Sequence, residues 1–176
     1  MFIGIVSLLS FKKASIQEHR FNNFFEPYTL RIDYYITGNA TSETFVLQQI
    51  KKTKYWAGKQ KLILKDSLNL GNYRFNVIDS ATHTLLYTKG FCSLFEEWQS
   101  TPEAKQIQKS FYHVNLMPFP KQIVIYQLQK RSKETGRFKT IHEQVIDPNN
   151  YFILNEEPSA IKYSVIHGNN HSSRKI

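Results

Sequence analysis

The chain has a single cysteine, Cys92, in 176 residues. That excludes an internal disulfide framework and any zinc site built from several cysteines. Seven glycines and six prolines are too few for collagen-like or low-complexity structure. Carboxylates are scarce: 14 Asp and Glu face 23 Lys and Arg, a formal net charge of +9. Such an excess permits contact with nucleic acid, acidic glycans or an anionic surface, but it bears on association rather than on fold. The basic residues are scattered, with small groups at Lys51, Lys52, Lys54 and at Lys130, Arg131, Lys133. These read as solvated faces and turns, and no nucleic-acid partner is expected. No apolar run reaches the roughly 20 residues needed to cross a bilayer, so no membrane span is expected.

Catalytic motifs are missing too. There is no G-x-S-x-G elbow and no Gly-rich phosphate loop. His142-Glu143 opens like the zincin HExxH, but Ile146 stands where the second histidine is required. His167 and His171 share H-x₃-H spacing in a Gly/Asn/Ser tail with no third ligand beside them. Glu96 and Glu97, read as strand residues, face opposite ways and are expected as exposed edge charges. Cys92, next to Phe91 and close to Leu94, reads as a buried, inert thiol. The chain is therefore expected to be no enzyme, with no cofactor and no metal.

Aromatic residues are what the sequence has in quantity, 13 Phe and 10 Tyr, and these suit strands. Residues 28–36 alternate, with Tyr28, Leu30, Ile32, Tyr34 and Ile36 on one face, which predicts a half-buried strand. Thr44–Ile50 and Leu62–Leu64 read as further strands, and Phe21–Pro27 as an extended lead-in. Residues 71–79 and 84–91 predict one hairpin; residues 122–129 and 138–146 predict another. Val114–Phe119 reads as a strand broken by Pro118 and Pro120, and Tyr151–Leu154 and Ala160–Ile166 as late strands. The stretch GFCSLFEEWQSTPEAK, residues 90–105, predicts a strand ending in an aromatic plug of Phe91, Phe95 and Trp98. A short helix near 101–109 should follow, with Thr101 as cap and Pro102 in its first position. Together these predict an all-β antiparallel sandwich with one short helix.

Three segments are expected. Residues 1–17 carry an apolar run, Phe2–Leu9, then Ala14 and Ser15, the pattern of a signal peptide or else of a first buried strand; on the signal-peptide reading an exported protein (periplasmic, cell-surface or secreted) is implied. Residues 18–166 form the sandwich, and residues 167–176 read as a disordered tail or truncated linker. A ligand loop is also conceivable at Tyr55, Trp56 and Lys59, where rings alternate with lysines. On that alternative the chain is a stand-alone module binding a glycan or a protein.

The motif residues Gly71, Asn72, Tyr73, Arg74 and Phe75, then Gly90, Phe91, Ser93, Leu94, Phe95, Glu97, Trp98, Gln99, Thr101, Glu103 and Ala104 carry a family resemblance. TLRIDYYITGN at 29–39 and Tyr55-Trp56-Ala57-Gly58 add to it. Over about residues 21–165 the chain resembles the N-terminal, non-catalytic domain of the immunoglobulin A peptidase family of zinc metallopeptidases. The resemblance implies an exported β-sandwich accessory domain that packs on or positions a catalytic domain carried in the same polypeptide. On this reading Tyr73, Arg74, Phe91, Phe95 and Trp98 are interdomain or structural residues.

Overall fold

The computed structural model describes residues 21–56, 65–66 and 68–157. Among them, eight strands form two four-stranded sheets packed face to face. Sheet A holds β1 (Phe25–Gly38), β2 (Glu43–Thr53), β5 (Lys109–Pro120) and β8 (Leu154–Glu156), in the order β5-β1-β2-β8. Sheet B holds β3 (Tyr73–Asp79), β4 (Leu85–Phe91), β6 (Val124–Arg131) and β7 (Phe138–Ile146), in the order β4-β3-β6-β7. All pairings are antiparallel except β2 with β8, a short parallel contact.

β1 is the hub of sheet A because its alternation gives it one wholly apolar face. Leu30, Ile32, Tyr34 and Ile36 are buried against sheet B, while Arg31, Asp33, Tyr35 and Thr37 point outward. Tyr28, expected on the buried face, is exposed instead. The β1–β5 register shifts between Glu26 and Thr29, and such a bulge breaks the two-residue period. Both expected hairpins form, β3 with β4 and β6 with β7. Tyr73, Phe75 and Val77 meet Tyr126 and Leu128 on the inner face of sheet B. A column of four rings crosses the core: His113, Tyr34, Phe45 and His142, with successive centroids 5.5, 4.7 and 3.9 Å apart and interplanar angles of 18–27°.

Several local expectations need correction. The aromatic plug is a helix, α1 (Leu94–Gln99), rather than the end of a strand. Ser93 caps it by accepting from the Phe95 N–H at 3.1 Å, and Phe95 and Trp98, three apart, share one face as helical neighbours do. The helix expected near 101–109 is a single 3₁₀ turn, Glu103–Lys105. Its growth is pre-empted because Thr101 Oγ1 donates to the Trp98 carbonyl at 2.8 Å and so closes α1. β5 then takes over from Lys109. Cys92 is exposed and Glu96 is buried, since the turn from β4 into α1 faces the thiol outward and helical geometry replaces strand alternation.

Pro118 and Pro120 do not interrupt β5. Among the described residues it is an edge strand, with one flank lacking a ladder partner, and there a missing N–H is tolerated. Residues 21–24 are helical rather than extended; the turn brings Phe21 onto Phe25, centroids 5.5 Å apart, both buried. Residues 151–153 form a turn, and the late strand is Leu154–Glu156. The expected leader 1–17, the strands at 62–64 and 160–166, and the tail 167–176 lie outside the described residues.

Candidate functional site

α1 carries the chain from β4 of sheet B to β5 of sheet A and closes one end of the sandwich. Phe95 and Trp98 pack on Phe111 of β5, centroids 5.7 and 5.5 Å away. The Trp98 indole donates to Glu103 at 2.7 Å, and Lys109 pairs with the same carboxylate. Hydrogen bonds from Lys109 and Trp98 hold the Glu103 carboxyl below its usual range. Phe91 is half-buried and stacks on Tyr73, centroids 5.5 Å apart. The fully buried Tyr73 donates its hydroxyl to Glu43 at 2.8 Å, and Lys130 reaches the same carboxylate at 2.6 Å. Burial, with Glu43 beside it, pushes the Tyr73 hydroxyl far up. Tyr73, Phe91, Phe95 and Trp98 thus belong to the packed end of the fold, and a neutral buried phenol is no nucleophile.

A cleft of about 200 Å³ opens between β2 and β7, lined by Ile36, Glu43, Thr44, Phe45, Ile141 and His142. Burial holds His142 below the usual imidazole value, partly offset by a hydrogen bond that its ring donates to Gln144, and burial lowers His113 likewise. Among the described residues, no group of three or more His, Cys, Asp or Glu is arranged to hold a metal ion.

Arg74 alone of the sequence-named motif lies on an outer face. Residues 74, 76 and 78 of β3 alternate outward from Tyr73, Phe75 and Val77. Arg74 Nε donates to Gln129 Oε1 at 2.6 Å and Nη1 to Asn69 Oδ1 at 3.2 Å. Its guanidinium lies 4.1 Å from the centre of the Phe138 ring, and that of Arg131 lies 4.3 Å from the same ring. Arg131 is held by three backbone carbonyls, of Gly71 (3.2 Å), Gly136 (2.9 Å) and Asn69 (2.6 Å). The loop that offers two of them turns through left-handed backbone at Asn69 (φ 53°) and Gly71 (φ 87°). A Cβ at Gly71 would lie 2.5 Å from the Phe91 carbonyl oxygen, so the loop needs glycine there. Burial and the Arg131 charge lower the Arg74 pKa. Sequence reasoning named Arg74 in a motif, placed Arg131 among solvated basic residues, and missed Phe138 and Asn69. The hairpin register, which sets Arg131 opposite Phe138, was the signal that could have joined that pair.

The proposed ligand loop is split. Tyr55 is exposed in a left-handed conformation (φ 66°), whereas Trp56 packs edge-on against Tyr87 with centroids 5.9 Å apart. Burial, then the nearby Asp66 charge, pushes the Tyr87 hydroxyl up to about 12. Lys59 lies outside the described residues. Lys51, Lys52 and Lys54 are ion-paired, with Glu156, Glu26 and Glu157 at 2.8, 2.8 and 2.5 Å. The two rings do not form a common platform.

No characterised protein matches the chain. The family pattern described as Peptidase M64 N-terminus matches residues 20–142, more than half of the sequence. That stretch contains β1 to β6, α1 and the first half of β7. The chain therefore belongs to the N-terminal-domain family of the M64 (IgA) peptidases, and corresponds to the non-catalytic region of such a metallopeptidase.

Proposed function

We propose that this domain packs on and orients an M64-type catalytic domain, and that it works outside the cytoplasm. The family match carries the reading, since it assigns the chain to the region that accompanies a peptidase domain. Export is supported by the apolar run Phe2–Leu9 followed by Ala14 and Ser15.

Calorimetric titration of the purified chain into a family catalytic domain tests the central claim. Saturable binding, together with a changed rate of peptide cleavage by that domain, is expected. Zinc-dependent cleavage by this chain alone, co-purifying with it, would overturn the non-catalytic assignment. Fractionation with N-terminal sequencing tests export; a protein confined to the cytoplasm with residues 1–17 intact would contradict it.

A further inference from the structure

Resting on the reading that this domain packs against a peptidase domain, we propose that the outer face of sheet B is the contact surface. The Arg74–Phe138–Arg131 cluster would receive a carboxylate-bearing segment of that domain. Each guanidinium offers five N–H donors. Two on Arg74 and three on Arg131 are engaged, and every acceptor is a neutral carbonyl or amide oxygen. Among the described residues neither guanidinium has a carboxylate within 4 Å. Of the Asp and Glu side chains in the sequence, only Glu18 lies outside the described residues. Two positive charges are thus fixed side by side with donors open among the described residues, and almost no acidic side chain is left in this chain to meet them.

The two guanidinium groups are also held in place before any partner arrives. Surface arginines lose much rotamer freedom when they bind, but here that freedom is already gone. Both groups lie on one ring, and Arg131 is gripped by three backbone carbonyls. Arginine forks match carboxylates in a two-point geometry that lysine cannot reproduce.

The surroundings of the cluster suit a protein better than a polyanion. Next to Arg74 the outer face runs into an amide strip, where Asn76 Nδ2 donates to Gln127 and Gln129 at 3.0 and 3.2 Å. Gln127 in turn donates to Glu143 at 3.0 Å. Beyond lies an apolar row, Ile78, Ile125 and Val145, paired across three strands, with Val145 64% exposed. Arginine and aromatic anchors beside amide and apolar surface are the make-up of a protein interface. A phosphate backbone would find two cations and then a carboxylate, a poor track for repeated charge.

The probe is N-acetylated hexaglutamate, titrated into the full chain by calorimetry, with hexaglutamine as the neutral control. Saturable binding of hexaglutamate is expected, weakened at least tenfold in Arg74→Gln and measurably less in Arg74→Lys, which keeps the charge and guards against a folding defect. Equal affinity in wild type and Arg74→Gln would overturn the proposal, as would hexaglutamate binding no better than hexaglutamine. Tripolyphosphate binding more tightly than hexaglutamate would overturn the carboxylate assignment. A family catalytic domain forms the second arm. If it binds wild type and Arg74→Gln alike, this surface is wrong while the accessory role stands. If wild type does not bind it at all, the accessory role fails, and the peptide arm still judges the arginine site.

Discussion

The two outer faces of the sandwich handle charge in opposite ways. On sheet A, Asp33 is fully buried beneath its neighbours and accepts from Arg31 at 2.6 Å and Gln49 at 2.8 Å. Arg31 also reaches Tyr112 and Glu156, and Lys51 pairs with Glu156 at 2.8 Å. Two cations and two carboxylates cancel within the face. On sheet B, Arg74 and Arg131 share a ring and, among the described residues, bond only to neutral oxygens. The same number of cations stands there uncancelled. A face that neutralises itself contributes to folding; a face that holds like charges in place contributes little to folding and leaves its interaction energy for something else.

Four measurements test this contrast. The scale is set by the plug that closes the end shared by both sheets. Trp98→Ala should cost about 3–5 kcal/mol in urea denaturation, the range for a large buried ring, while leaving binding of acidic peptide by the native fraction unchanged. A melting temperature equal to wild type would place the indole outside the core.

Asp33→Ala strikes the self-neutralised face and should cost about 2–3 kcal/mol at neutral pH, since Arg31 and Gln49 lose a buried acceptor. Burial alone would raise the Asp33 pKa, but hydrogen bonds from Arg31 and Gln49 outweigh it, and the carboxyl ends below its ordinary value. Its contribution is therefore present above the unfolded-state value of about 3.9 and is lost as pH falls through the lower folded value. The stability gap between wild type and variant should close over that acidic interval; a gap constant down to the acid limit would refute the assignment.

Between pH 8 and 5 the interior, not either face, should respond. His113 and His142 titrate below the usual imidazole value because they are buried. The unfolded chain then takes up protons first, so stability is full above about 6.5 and falls as pH drops through the lowered folded values. Replacing His142 by Phe keeps the ring column and should flatten part of that slope. An unchanged slope would mean that His142 is not among the titrating groups.

Arg74→Gln should produce the smallest change, within about 1 kcal/mol, because two hydrogen bonds are lost while a like-charge neighbour of Arg131 is removed. If it proved as costly as Asp33→Ala, the two faces would not differ in the way described.

Much of the architecture was legible because strand alternation is a local signal. Leu30 to Ile36, Tyr73 to Val77 and Val124 to Leu128 each declare a buried face within a few residues. The hairpin partners followed from the same pattern and the turns between them. What misled was bulk without period: Phe91, Leu94, Phe95 and Trp98 resemble a strand until Ser93 is recognised as a cap. The proline reading failed for want of topology, since whether Pro118 breaks a strand depends on which flank is paired. The arginine cluster was half-visible. Arg74 stood in a motif, but its meaning depends on Arg131 and Phe138, more than fifty residues later, and no local pattern unites them.

The position of β1 also dictates the sequence of assembly. Its first neighbour, β2, is available within a few residues, but its second, β5, begins only at Lys109, after the whole β3–β4 hairpin and α1 have been made. During synthesis one flank of the strand that carries Tyr34 must therefore stay open while some seventy residues accumulate behind it, the long-range pairing that slows β-rich chains. Sheet B does not share that wait for its first hairpin, so the half of the molecule with the uncancelled arginines has a partly built frame before the other half can close.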